Sequence, residues 1–346
     1  MLVTPDDLLV TSTNRRLSTE QKWGHVKIHA NVYARVDALS PDSDFWVIGQ
    51  RVTEARVLAM NLLGESSPDA PRPFGLQSAM VIHGLSSTDP SSPITRRIPS
   101  GPNRVIRLPE VLVGDTTIRP TVVRNSYLNV GPRTPQSGPF DLIVESLEEA
   151  AVDICRKLKP RIAIAEVSKI MRHLVGFDRR LPVSERKAEM RLKSEIRRIN
   201  DDMPSRWRRR VADRVLALAD AGADSPGEAS LKWMVCSALE AGGVSALRVA
   251  SQYRVSDGFS SYYLDLAIPQ EKIAIEFDGM AKLETLSSDK WEKLREEKGR
   301  KDDLRAEGWR FIRIASYDMG NPTACMFKVV DRLNRLGVPA QIPEDW

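Results

Sequence analysis

The feature that most constrains this chain is a pair of carboxylates set in the middle of two short apolar runs, Tyr262 to Ile268 and Lys272 to Asp278. Side chains alternate across a strand. Leu264, Leu266 and Ile268 are therefore predicted to share one face of the first strand, and Ile273, Ile275 and Phe277 one face of the second. The opposite faces then present Asp265 from one strand, and Glu276 with Asp278 from the other. The intervening Pro269-Gln270-Glu271 is short enough to make the two strands a hairpin. Carboxylates are disfavoured in mid-strand, and side by side they repel one another unless a cation stands between them. A divalent ion meets that need, and hard oxygen ligands favour Mg2+ or Mn2+ over zinc. His25, His29, His83 and His173 all lie outside the segment, which excludes a histidine general base within it.

The flanking sequence adds helices. Ser225-Pro226-Gly227-Glu228 reads as a capping box, with Ser at the N-cap, Pro at N1 and Glu at N3. Leu231, Val235, Ala238 and Leu239 then face one side of the helix. Glu228 can serve as the cap, as a supporting carboxylate, or as both; Asp278, just before Gly279, can equally be a turn residue. Hydrolysis of a phosphodiester by metal-activated water benefits from an ammonium group near the developing charge. Lys282 follows Gly279, and Lys298 and Lys301 fall on the helical stripe of Trp291, Leu294 and Leu304. A lysine on an inward stripe is unusual, although it can also snorkel from the helix edge.

Four separated stretches then coincide: Tyr263 to Ala267, Ile275 to Lys282, Glu297 to Leu304, and Gly308-Trp309-Arg310-Phe311-Ile312-Arg313. Together they resemble the very-short-patch-repair-like branch of the PD-(D/E)XK nucleases over about 120 residues, from Ser225 onward. The resemblance implies a restriction-endonuclease-like mixed sheet flanked by helices. It also implies Asp265 and Glu276 as metal ligands, Glu228 as a supporting ligand, and Gln252 where relatives often carry a glutamine. The signature lysine, two residues after Glu276, is replaced by Asp278, with Lys282 as the substitute. Trp309 and Phe311 read as core residues rather than base-stacking platforms.

Upstream, residues 1–60 hold a short polar, helical-looking stretch and a strand pair, Val26 to Ile28 and Val32 to Val36, compatible with a winged-helix-like DNA-binding region. A solvated capping subdomain is the plainer reading. Residues 61–178 are turn-rich, with β-like runs at Val105 to Leu108, Val111 to Val113 and Thr117 to Val123, then a helix from Leu147 to Leu158. Asn31-Val32-Tyr33-Ala34 and the Ser78 to Leu85 stretch with its His83-Gly84-Leu85 ending resemble the AbiEi-type antitoxin and regulator architecture. That resemblance implies DNA binding in a toxin-antitoxin or phage-defence setting, with a protein partner. Residues 179–224 form a basic helical linker: thirteen Lys or Arg stand against six Asp or Glu between Arg179 and Arg214, and Ala188, Leu192, Ile196 and Ile199 recur at helical spacing. Its charged face can be simple solvation, but Arg206, Arg208, Arg209 and Arg210 beside Trp207 are candidates for phosphate contact.

At 346 residues the chain is expected to fold as a multidomain α/β (α+β) protein, with residues 225–346 as the nuclease-like domain. A net charge of +5 points towards a polyanionic partner. Three cysteines without a CxxC pair suggest neither disulfides nor a cysteine zinc site, and the acidic N-terminus and lack of long apolar runs predict a cytoplasmic chain with no membrane segment. The expected activity is metal-dependent endonucleolytic cleavage of DNA. A DNA-binding regulator or antitoxin with an inactive nuclease-like domain is the alternative, and RNA remains a third substrate class because nothing in the sequence reads the sugar.

Overall fold

A computed structural model describes residues 2–11, 24–40, 44–63, 72–98, 105–127, 135–181, 186–256, 261–279, 299, 301–344 and 346. The protein is mixed α/β, with separate mixed and antiparallel sheets, and divides into two compact units. Unit 1 comprises Met1–Lys157 and Glu195–Ala212; unit 2 comprises Leu158–Ser194 and Asp213–Trp346.

Unit 1 opens with β1 (Leu8–Val10), β2 (His25–His29) and β3 (Val32–Arg35), an antiparallel sheet in the order β1-β3-β2. The expected strand pair is present. Ahead of them Pro5–Asp7 forms a 3-10 turn; of the helical-looking stretch expected before the strand pair, residues 12–23 lie outside the described residues.

Next comes α1 (Phe45–Leu62), which the periodicity did not reveal. Asp44 caps it, accepting from the N–H groups of Trp46 and Val47 at 2.9 Å each. The apolar stripe is hidden because charged residues are buried along it. Glu54 accepts from the N–H groups of Leu2 (2.6 Å) and Val3 (2.9 Å), and Arg56 donates to the Pro109 carbonyl at 2.6 Å. Burial lowers the Arg56 pKa to about 10.

The rest of unit 1 contains β4 (Phe74–Gly75), α2 (Gln77–Ile82), β5 (Ile94–Ile98), β6 (Ile106–Leu108), β7 (Val111–Val113), β8 (Thr116–Ile118), β9 (Thr121–Tyr127), β10 (Gln136–Ser137), β11 (Ile143–Val144) and α3 (Leu147–Lys157). The run expected from Thr117 to Val123 is two strands: Pro120 offers no N–H to a ladder, so β8 pairs with β7 and β9 joins a mixed sheet ordered β10-β11-β4-β5-β9-β6. Beneath that sheet the buried Arg97 pairs with Glu145 (2.5 Å) and with Asp153.

Unit 2 begins with α4 (Pro160–Val175). The chain then runs through α5 (Lys187–Asp202), α6 (Arg209–Leu218) and α7 (Pro226–Ala241). Helix α5 follows the predicted periodicity at Leu192, Ile196 and Ile199, but Ala188 is exposed and Glu189 and Asn200 are buried instead. Asn200 is held in unit 1 by Arg156, whose guanidinium donates to its side-chain oxygen and to its carbonyl at 2.7 Å each.

The sheet of unit 2 has the order β12-β13-β14-β15, where β12 is Ala250–Ser256, β13 Ser261–Ile268, β14 Ile273–Asp278 and β15 Arg310–Ala315. The first two pairings are antiparallel and the last is parallel. Pro269–Glu271 forms the tight link of the hairpin, completed by Lys272 in the left-handed region (φ 47°). Helical residues 301–306, here α8, precede β15, and Gly308 follows them with φ 90°. Helix α9 (Pro322–Arg335) closes the unit.

Leu266, Ile268, Ile273, Ile275, Ile312 and Ile314 pack in one core with α7 and α9. The second cluster combines Leu264, Ala267, Ala274, Leu304 and Trp309. Leu264 therefore does not share a core with Leu266 and Ile268, contrary to strict alternation. Gln252, facing this step from β12, has φ 47°, and such a left-handed residue turns the side-chain pattern of a strand. Trp309 is buried in this second cluster, and Phe311, half-buried, packs against it.

Candidate active site

The ladder between β13 and β14 stops at the Leu266↔Ile275 pair. One step further the register sets Asp265 opposite Glu276. The Phe277 N–H, released from strand pairing, donates instead to Asp265 Oδ2 at 2.9 Å. On the other side of β13 the pairs Ser251↔Leu266 and Tyr253↔Leu264 bracket Gln252 and Asp265, and this rung is also missing from the ladder. The strands thus part around one carboxylate-bearing step.

Glu276 is 8% exposed and Lys301 5% exposed; they form an ion pair of 2.8 Å, Lys301 Nζ to Glu276 Oε2. The Arg313 Nε lies 3.6 Å from the same oxygen, as the parallel pairing of Glu276 with Arg313 dictates. Such a buried pair tolerates desolvation only because each charge meets its counterpart. Lys301 occupies the inward stripe inferred from sequence, one helical turn before Leu304. Lys282 and Lys298 lie outside the described residues. Arg313 was not anticipated; its place two residues after Phe311 on the strand beside Glu276 is the signal that could have found it.

Glu228 is buried at the start of α7. Its carboxylate accepts from the Asp224 N–H (2.9 Å) and the Ser225 hydroxyl (3.0 Å), while the Ser225 oxygen accepts from the Glu228 N–H (3.2 Å). The capping box forms, with its return bond on the residue before the N-cap. Burial pushes the Glu228 carboxyl up to about 7, and the nearby charge of Asp265 adds to the rise against the two hydrogen bonds. Asp278 ends β14, half-buried, just before Gly279. Gln252 is buried, 4% exposed.

Asp265 and Glu276 suit a hard divalent cation by donor type. Glu228, drawn towards protonation, becomes a ligand only on losing its proton. Among the described residues no group of three His, Cys, Asp or Glu side chains is gathered closely enough to hold a metal ion. The charge of Glu276 is balanced by Lys301 and Arg313.

The arginine run is partly committed within unit 1. Arg209 pairs with Asp201, and Arg208, at φ 50°, lies over the Trp207 ring at 5.6 Å. Arg206 and Arg210 are exposed, as is Trp207. Among the described residues no helix is long and apolar enough to cross a membrane. Compared with known proteins, the chain matches no family model, no curated protein and no solved structure.

Proposed function

We propose that unit 2 is a metal-dependent nuclease domain with a restriction-endonuclease-like sheet, hydrolysing phosphodiester bonds in DNA. The observation that carries this reading is the opening of the sheet at the Asp265/Glu276 step, with a buried lysine delivered to Glu276 from the following helix. Asp265 and Glu276 would hold Mg2+ or Mn2+, an ion that supplies charge for the scissile phosphate and acidifies a bound water. Lys301, held on Glu276, places an ammonium group where negative charge develops. Glu228, poised near neutrality, can exchange a proton at its carboxyl oxygen while its hydrogen bonds to Asp224 and Ser225 fix its position. Gln252 borders the opened step and positions its strand there.

Arg206, Arg208, Arg209 and Arg210, with the N-terminal sheet as part of a winged-helix-like region, would supply phosphate contacts for DNA. A phage-defence or toxin-antitoxin context with a protein partner belongs to the same proposal. So does a cytoplasmic setting, in which Cys155, Cys236 and Cys325 stay as the free thiols they are.

One observation favours the alternative of a DNA-binding regulator with an inert nuclease-like domain: Glu276 already has Lys301 and Arg313 as counter-ions. Incubating the protein with supercoiled plasmid, linear duplex and single-stranded DNA, in Mg2+, Mn2+ or EDTA, separates the two. The nuclease reading expects metal-dependent cutting that disappears in Glu276→Gln. DNA retention without cutting under every condition replaces it with the regulator.

A further inference from the structure

Away from the opened strands, unit 2 contains a cavity of about 420 Å³ bordered by α5, α6, α7 and the start of β12. Its charged residues fall into two groups. Three cations in the wall are already matched: Lys193 with Glu189 (3.0 Å), Lys232 with Asp220, and Arg214 with Glu240 (2.7 Å). Asp220 is pushed up by burial, yet the Lys232 ammonium holds it down at about 2, so this carboxylate stays ionised and its partner stays committed.

Arg186 and Arg248 line the same cavity without a carboxylate partner among the described residues. Arg186 is 7% exposed. Its guanidinium lies over the Phe177 ring at 4.8 Å, and Nη2 donates to the Ser251 carbonyl at 3.1 Å. Nε and Nη1 are buried and meet no acceptor among the described residues. A buried guanidinium with two idle donors costs free energy unless acceptors arrive; Nε–H and Nη1 lie on opposite sides of the group, so each takes a separate acceptor, one of which can be an oxygen of a tetrahedral anion. Arg248 is exposed at the rim. The wall therefore offers two positive charges beyond those it neutralises. The apolar side chains Leu218, Leu247 and Val249 leave room beside them for more than a bare ion.

We propose that this cavity binds a small phosphomonoester, its dianionic phosphate held by Arg186 from within and Arg248 from the rim, and its organic body against the apolar wall. The site is separate from the Asp265/Glu276 step and does not rest on the nuclease reading. Arg186 joins them physically, because its second, longer contact reaches the carbonyl of Gln252 (3.5 Å).

The test is titration of the full chain with inorganic phosphate in EDTA at constant ionic strength, followed by 31P line broadening and thermal shift. Saturable binding is expected. Arg248→Gln, a rim change compatible with folding, should weaken it at least about tenfold, the loss of one charge-assisted contact. Arg186→Lys should weaken it further by replacing the fixed guanidinium donors with a mobile ammonium. Absence of saturable binding, or equal affinity in Arg248→Gln and the parent chain, overturns the proposal.

Discussion

Glu228 carries two competing demands on one carboxyl group. As a cap it is best ionised; buried near Asp265 it is better neutral, and the balance lies at about 7. A carboxyl whose folded pKa exceeds its unfolded value binds more protons when folded. Its contribution to stability is therefore full below the ordinary carboxylate range and is lost as pH rises towards 7. Thermal unfolding followed from pH 4.5 to 8 should show this decline, on the order of 3 kcal/mol at most. Glu228→Gln should flatten that part of the profile, and an unchanged profile would remove the assigned shift.

Lys301 gives a second prediction at this scale. Lys301→Met leaves Glu276 buried with only the longer Arg313 contact, costing on the order of 3 kcal/mol. If Asp265 and Glu276 bind a divalent ion, Mg2+ should raise the melting temperature of this variant more than that of the parent; equal shifts would argue against a metal there. The placement of Asp265 and Glu276 at one step of neighbouring strands was legible in sequence from the alternation and the short turn. Lys301 was visible as a lysine on an inward stripe. Its pairing with Glu276 required the register that only the folded sheet supplies.

Among the elements, α7 has the central place in unit 2. Four apolar residues on one side were evident from its sequence, but the helix is buried on more than that side: Ala229, Trp233 and Met234 are also covered. Ala229 packs with Ala165 of α4 and with Ala223, a second neighbour that a single amphipathic stripe does not announce. The start of α7 fits tightly because Gly227 has no side chain. A Cβ there would come within 2.2 Å of the Phe277 ring. Gly227→Ala should destabilise the protein by about 1–3 kcal/mol in denaturant unfolding. Phe277→Leu should recover part of that cost in the double variant, and strict additivity would show that the ring is not the obstacle. The hairpin of β13 and β14 was readable from alternation and a short turn. The switch of core at Leu264 was not, since no residue type near Asp265 marks a break in alternation; Gln252 opposite is left-handed although its residue type has no special preference for that conformation. Helix α1 escaped notice for a different reason: Glu54 and Arg56 are buried to satisfy backbone groups distant in sequence, and such partners leave no periodic trace.

At the scale of the molecule, the predicted linker of residues 179–224 is not a separate segment. Residues up to Ser194 belong to unit 2, Glu195–Ala212 to unit 1, and the chain then returns to unit 2. A fragment cut at the sequence-derived boundary would thus lose part of its own body. Residues 158–346 should unfold in a cooperative transition. Residues 213–346, deprived of α4 against α7, should bind hydrophobic dyes and melt broadly; comparable cooperativity in both fragments would show that α4 is dispensable. A positively charged chain that binds DNA through Arg206 and Arg210 should also lose affinity steeply with salt, and a slope unchanged by Arg206→Gln with Arg210→Gln would exclude that surface.

The alternation of chain segments between units has a temporal meaning as well. A protein emerging from a ribosome commonly completes its domains in the order in which they are translated. Here the anchor of Arg156 on Asn200 is made late: the first unit cannot close until α5 has been synthesised, by which time α4 of the second is already outside. Neither unit is formed from one continuous stretch of chain. A translational pause placed between Lys157 and Glu195 would hold the first unit open, with α4 of the second already made and its partner α7 still to come.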